Sequence, residues 1–496
     1  MMDFPTIILV IISIFTIITL TLNFRARRSL KLPPGPYQFP IIGNILELGP
    51  KPHQSLAKLS RKYGPLMSLK LGSKTTIVAS SPEIAKIVLQ KHDIEFSSRS
   101  APTSIKYVEH DKFSVACLPV EYQWRKLRKI CREQMFSPHK LDASQGLRTE
   151  NLRKLNDYVK ECSETGQIVD IGRVAFTTSL NNLSASLFTV EFAQFNSDSS
   201  QEMKDVVCGV MKYVGASNLA DYFPVLKYVD PQGISKQLKI CFDKLFAVFD
   251  RIIDEKLKSR VHTNDLLDAL IVINQRDEAE LSRDEIKHLL LDLFVAGTDT
   301  TSSTVEWAMT ELLRSPDKMS RVRDEIKNVI RQKGQVEESD IPSLPYLQAV
   351  VKETFRLHPA APLLVPRKAE SDIEINGYLV PKNAQILVNV WASGRDPKFW
   401  THIDLFLPER FLTGKFGNTD FRGKDFELIP FGAGRRICPG LPLAYRMVHL
   451  MIATLVCNFG WNLEHGGMKQ EELDMDEKFG LTLQRAIPLK AIPTTL

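Results

Sequence analysis

The sequence predicts a mainly α protein with small β-sheets, a single large domain behind an N-terminal transmembrane helix. Three observations carry this expectation. Stretches with helical apolar spacing dominate the chain, strand signals are confined to short segments with strong turns, and one uninterrupted apolar run stands at the N-terminus. A chain of 496 residues, 44% hydrophobic and 25% charged, excludes collagen-like, coiled-coil and wholly disordered alternatives. No repeat or internal linker divides the part that follows the apolar run.

Residues 4–24 carry no charge and are largely Ile, Leu, Val, Phe and Thr. As a helix such a run spans about 31 Å, close to the hydrocarbon thickness of a bilayer. Arg25, Arg27, Arg28 and Lys31 follow it, Asp3 precedes it, and no small-residue cleavage site follows. The expectation is an uncleaved signal anchor with its C-terminal end in the cytosol. Residues 25–36 then form a basic and proline-rich hinge, ending in Leu32-Pro33-Pro34-Gly35-Pro36, and residues 37–496 form the domain.

Within the domain, Met67–Leu71 alternates, Gly72-Ser73-Lys74 turns and Thr75–Ala79 is β-branched, which predicts a hairpin. Ser81-Pro82-Glu83 reads as N-cap, first-turn proline and first-turn acid of a helix through Gln90. Further helices are expected over Tyr122–Phe136, Phe242–Arg260, Ile286–Arg314 and Pro316–Gln332. Asn376-Gly377 joins two short strands, Ile386–Val390 is another, and Gly414–Asp425 is a polar loop.

The net charge of +6 suits a membrane surface or an acidic partner and is too dilute for nucleic acid. Seven cysteines, an odd number with no C-x-x-C spacing, argue for a reducing compartment rather than a disulfide framework. The Asn182 sequon would accordingly stay unglycosylated.

One cysteine stands apart. Cys438 lies in Phe431-Gly432-Ala433-Gly434-Arg435-Arg436-Ile437-Cys438-Pro439-Gly440. A buried structural thiol needs neither these glycines nor two adjacent arginines, whereas a thiolate metal ligand does. Glycines let backbone approach a flat cofactor and aim N–H groups at sulfur, and cations lower a thiol pKa and pair with acidic cofactor groups. A dinucleotide fingerprint is excluded because Ile437 stands where its third glycine belongs.

This F-x-x-G-x-R-x-C-x-G pattern resembles the haem-thiolate loop of the cytochrome P-450 superfamily. The resemblance implies the P-450 fold, haem b with Cys438 as axial ligand, O2, and NADPH-derived electrons from an acidic, FMN/FAD-bearing reductase. Three further elements match in order. Glu353 and Arg356, three apart on one helical face, with Arg410 further on, resemble the family's structural Glu-Arg-Arg network. Ala296-Gly297-Thr298-Asp299-Thr300 resembles its oxygen-activation segment, with Asp299 and Thr300 as a proton-delivery pair and small residues leaving room above the haem. Trp124 and Arg128, four apart, resemble its propionate-binding pair, and Arg436 and Arg367 are further propionate candidates by position. Arg125, Lys126, Lys129 and Arg132 on the same helix are expected to steer the reductase.

"DLFVAGTDTTSSTVEWAM" and "FELIPFGAGRRICPGLPLA" narrow the resemblance to the plant clan of geraniol 8-hydroxylases and abietane diterpene hydroxylases. This implies a membrane-anchored enzyme of the endoplasmic reticulum that hydroxylates a lipophilic terpenoid, a monoterpenol such as geraniol or an abietane-type diterpene. The Phe113–Leu118 loop, represented by Phe113, and Val295, Ala296, Leu363, Leu364 and Leu481 are expected to line its pocket. The alternatives are another small lipophilic plant metabolite as substrate, a haem-thiolate isomerase or dehydratase that needs no reductase, and a haem-binding electron carrier. Of the last two, the Asp299-Thr300 pair argues against the first, and the anchor and relay against the second.

Overall fold

A computed structural model describes residues 32–195, 198–259, 265–276, 281–331, 334–463 and 473–496. The expected anchor over residues 4–24 lies outside the described residues, as does the basic half of the hinge. Among the described residues no helix is long and apolar enough to cross a membrane.

Helices dominate. Those that build or flank the site are α1 (Tyr122–Gln134), α2 (Ile171–Phe188), α3 (Asp198–Gly215), α4 (Ile234–Ser259), α5 (Arg283–Arg314), α6 (Pro345–Leu357) and α7 (Leu441–Cys457). The centre is α5. Ser282 starts it with a reciprocal capping box, its hydroxyl accepting from the Glu285 N–H at 3.2 Å while Glu285 accepts from the Ser282 N–H at 2.8 Å. From Ile286 to Leu313 it is buried on almost every side, its polar residues included, among them Asp299, Glu306 and Glu311. Its main neighbour is α2, and the approach is close: a Cβ on Gly297 would stand 2.8 Å from Leu183 Cδ1, and one on Gly172 2.8 Å from the Glu306 carboxyl. Gly297 is thus fixed by helix packing as well as by the cavity it borders. Asn182 is buried inside α2, donating to the Thr178 carbonyl at 2.9 Å. All seven cysteines are free.

The main sheet has five strands. Ordered across it are β1 (Leu66–Leu71), β2 (Lys74–Ala79), β7 (Gln385–Val388), β4 (Arg367–Lys368) and β3 (Ser98–Arg99). The β1–β2 hairpin closes on Leu71 opposite Lys74, and β2 pairs parallel to β7. A second hairpin, β5 (Ile373–Ile375) and β6 (Tyr378–Val380), turns on Asn376 and Gly377, both at positive φ, as an Asn-Gly turn requires.

Boundaries moved where tertiary contacts intervened. The α4 helix begins eight residues before Phe242, because Ile234 and Leu238 extend its buried stripe. Ser81 caps its helix as expected, accepting from the Ile84 N–H at 3.4 Å, but regular α-helix ends at Lys86 and a π turn follows to Lys91. Val390 leaves the strand for a helical turn capped by Asn389. The polar loop Gly414–Asp425 is pinned by Phe421, whose ring meets those of Phe355 and Phe431 at 5.2 and 5.7 Å. The proline segment is laid on the sheet: the Ser68 hydroxyl donates to the Pro33 carbonyl at 2.6 Å, and a Cβ on Gly35 would collide with the Ser68 carbonyl.

Candidate functional site

Beneath α5 the described residues enclose a cavity of about 310 Å³. Its walls come from α5, from the loop between α6 and β4, from the segment before α1, and from the loop that carries Cys438.

Cys438 borders this cavity at the threshold of α7. Its N–H closes the loop on the Phe431 carbonyl at 3.0 Å. Gly432 and Gly434 both have φ near +70°, and a Cβ on Gly434 would stand 2.2 Å from the Leu89 carbonyl oxygen, so no side chain fits there. Gly440 has an ordinary φ of −80°; here the missing side chain leaves open the space beside the sulfur. Burial pushes the thiol pKa up, against the Gly440 N–H, Arg128 and the Leu441 N–H, which favour thiolate. The two adjacent arginines do not lower it as the sequence suggested. Arg435 reaches Asp93 at 3.3 Å, and Arg436 is turned to the carbonyls of Ser97, Val115 and Leu118.

At the rim of the same cavity stand four guanidinium groups, those of Arg99, Arg128, Arg367 and Arg436. Three were expected; Arg99 was not, since Ser97-Ser98-Arg99 carries no pattern that marks it. It arrives through β3, where it pairs with Arg367 of β4. Arg99 donates to the Ala116 and Val365 carbonyls at 3.1 and 2.6 Å, and Arg128 donates to the Ile437 carbonyl. Among the described residues Arg367 alone of the four meets a carboxylate, Asp93 at 3.5 Å. Burial, then the like charges of Arg367 and Arg436, holds the Arg99 pKa well below its usual value. Arg436 is brought down to about 10, by burial and then by Arg367. Four cations with one acidic partner fit the edge of a doubly negative cofactor. Trp124 lies among them, but its indole N–H already donates to the Val115 carbonyl at 3.1 Å, with the Arg436 guanidinium 4.8 Å above its ring.

The α5 wall presents Ala296, Gly297, Thr300, Thr301 and Thr304. The threonine hydroxyls back-bond one turn down the helix, Thr300 to the Ala296 carbonyl at 2.7 Å. Asp299 does not share this wall. A residue turn of 100° carries its carboxyl to the far side, where it is buried and accepts from Gln484 Nε2 at 2.7 Å, and burial raises its pKa. Asp299 and Thr300 are therefore not a direct hydrogen-bonded pair, and Gln484 is a partner the sequence did not suggest.

Glu353, Arg356 and Arg410 do meet. Arg356 makes two 2.8 Å contacts to the Glu353 carboxylate, Arg410 one at 3.2 Å, and all three are buried or nearly so. Arg356 also donates to the carbonyls of Gly394, Ile403 and Leu405, and Glu353 accepts from the Leu407 N–H. The triad ties α6 to the segment that leads to the cysteine loop.

Of the expected pocket residues, Ala296 and Leu364 line the cavity. The other four stand elsewhere. Phe113 stacks on His288 at 4.9 Å, Val295 is buried in the main core on another face of α5, Leu363 packs with the β1–β2 core, and Leu481 packs beside Gly215 of α3. From the expected Phe113–Leu118 loop it is Val115 and Ala116 that reach the cavity, and Leu293, Phe355 and Val365 add to its apolar wall. Asp292 also reaches it, four residues before Ala296 and eight before Thr300, a spacing that counting along the helix face would have revealed. On α1, Arg125, Lys129 and Arg132 are exposed, whereas Lys126 is paired with Glu285 at 2.7 Å.

Residues 33–488 match the family model described as Cytochrome P-450. The chain is 56% identical to cytochrome P-450 76T24 of Catharanthus roseus, over 97% of this chain and 96% of that one. It is 51% identical to a geraniol 8-hydroxylase of the same plant, with both chains covered in full. A ferruginol synthase of Isodon rubescens is 50% identical over 96% of this chain and 97% of that one.

Proposed function

Because this chain belongs to the cytochrome P-450 family, a family of haem-thiolate monooxygenases, we propose that it hydroxylates a terpenoid, a monoterpenol such as geraniol or an abietane-type diterpene. The observation that carries this reading is one apolar cavity bordered by Cys438, by the Thr300 face of α5 and by four arginines. Names of similar proteins, geraniol 8-hydroxylase and ferruginol synthase, support the substrate class.

Cys438 would hold haem iron through Sγ, and Arg99, Arg128, Arg367 and Arg436 would hold the propionates. Haem, when bound, supplies activation of O2 with electrons delivered by the reductase. The remaining work falls to the protein. Thr300 Oγ1 gives its proton to the Ala296 carbonyl and, by rotation about χ1, can present it to the cavity. Asp299, its pKa raised by burial and its carboxyl held by Gln484 off the cavity wall, would have to leave Gln484 to return a proton to the Thr300 side. Val115, Leu293, Phe355 and Leu364 exclude water and hold a lipophilic skeleton by burial.

Residues 4–24 are read as a signal anchor that places the domain on the cytosolic face of the endoplasmic reticulum, where lipophilic substrates partition. Exposed Arg125, Lys129 and Arg132 fit docking of an acidic NADPH–cytochrome P-450 reductase. Reduction rates that fall with ionic strength are expected, and rates indifferent to salt contradict the docking surface. The reading as a whole is tested with microsomes fed acyclic monoterpenols and tricyclic diterpenes. Hydroxylated product that requires both NADPH and O2 is expected; conversion without either points to isomerase or dehydratase chemistry instead.

A further inference from the structure

One end of the cavity is polar in a way the reading above does not use. Asp292, Ala296, Thr300 and Thr304 border it at four-residue intervals along α5. Asp292 and Thr300 thus share a face two turns apart, about 12 Å along the axis. Among the described lining residues Asp292 is the sole carboxylate, and it stands beside Val115 and Leu293 rather than in the arginine rim's hydrogen bonds.

Its carboxylate is held from two sides. Ser114 Oγ lies 2.9 and 2.8 Å from its two oxygens and itself accepts from the Ala116 N–H at 3.1 Å, so the hydroxyl proton points at Asp292. His110 Nε2 lies 2.9 Å from Oδ1. Behind it, His110 and His288 meet Nδ1 to Nδ1 at 2.6 Å, both buried, with Phe113 stacked on His288. A carboxylate offers about four lone-pair sites, and Ser114 and His110 fill two. A charged acceptor with spare capacity at the edge of an apolar cavity is costly unless a donor completes it.

We propose that Asp292 is the acceptor for a substrate hydroxyl, with Ser114 and His110 as positioning residues, so that the preferred substrates are terpenoid alcohols rather than hydrocarbons. The alcohol is held at the Asp292 end and the chain runs along α5 toward Thr300, which directs oxidation to a carbon remote from the hydroxyl. This rests on the terpenoid reading above and deepens it. A site built to bind a hydroxyl also rejects a skeleton that lacks one, because the carboxylate is then left desolvated and incomplete.

The test is equilibrium binding of geraniol and of geranyl methyl ether, which has the same skeleton and no donor, to the haem-loaded full chain. The alcohol is expected to bind about tenfold tighter or more. Asp292→Ala, which removes the acceptor, should bring the ratio close to one, and Ser114→Ala should narrow it. A merely structural role for Asp292 would weaken both ligands alike. An ether bound as tightly as the alcohol by the unmodified protein overturns the proposal, whether or not the variants fold, and so does an unchanged ratio in Asp292→Ala. The carbon monoxide spectrum of the same samples reports thiolate ligation separately, so failure of the haem-thiolate reading is distinguished from failure of this one.

Discussion

Arg99 and Arg367 face each other in antiparallel register across two strands of two residues each, and this pairing brings two like charges to one cavity rim. The arrangement costs stability until an anionic group arrives. Arg99→Ala is therefore expected to raise the melting temperature of the haem-free protein and to lower haem retention. The gap in melting temperature between loaded and empty protein is the readout, and it should shrink. An unchanged gap would remove Arg99 from the propionate set.

Glu353 is fully buried and joins two arginines. Glu353→Ala strands Arg356 and is expected to destabilise the protein by about 3–5 kcal/mol. Loss of haem content should accompany this, because the triad supports the segment before the cysteine loop. Urea unfolding and haem-to-protein ratio check both, and a variant that binds haem normally contradicts the assignment.

Thr300→Ala removes a hydroxyl that α5 places on the cavity face one turn from both Ala296 and Thr304. Substrate-dependent NADPH consumption is expected to continue while hydrogen peroxide replaces product. Tight coupling in Thr300→Ala would end the proton-delivery role.

Glu306 gives a pH test away from the site. Burial raises its pKa to about 7, opposed by the Leu489 N–H at 2.8 Å and by Arg485. The folded protein thus keeps a proton that the unfolded chain loses near pH 4. Stability from this group is complete below that point and is lost as pH rises to about 7, on the order of 1.4 kcal/mol per unit. Glu306→Gln should flatten this slope. Melting temperatures of the two proteins are expected to converge near pH 5 and diverge near pH 8, with the variant more stable, and parallel curves would contradict it.

What the sequence could reveal followed from how local each signal is. The Asn376-Gly377 turn, the Ser81-Pro82-Glu83 helix start and the glycine-bounded cysteine loop are written in neighbouring residues, and they form as such. The chemistry-bearing motif was legible for the same reason. Arg99 and Gln484 were not, because each reaches the site through strand pairing or long-range packing that leaves no spacing to read. Asp299 and Thr300 are adjacent in sequence, yet a helix turns them to different sides. Pocket residues were the hardest: Leu363 and Leu364 are neighbours, and only Leu364, at a positive φ of 50°, turns to the cavity.

The central claim is that Cys438 ligates haem iron as a thiolate, and a carbon monoxide difference spectrum of the reduced, purified protein tests it most directly. Unmodified protein is expected to give the long-wavelength Soret band of a thiolate-ligated haem, and Cys438→Ala to lose it while remaining folded by circular dichroism. A folded, haem-supplied wild type without that band, or a Cys438→Ala variant that retains it, would contradict the account.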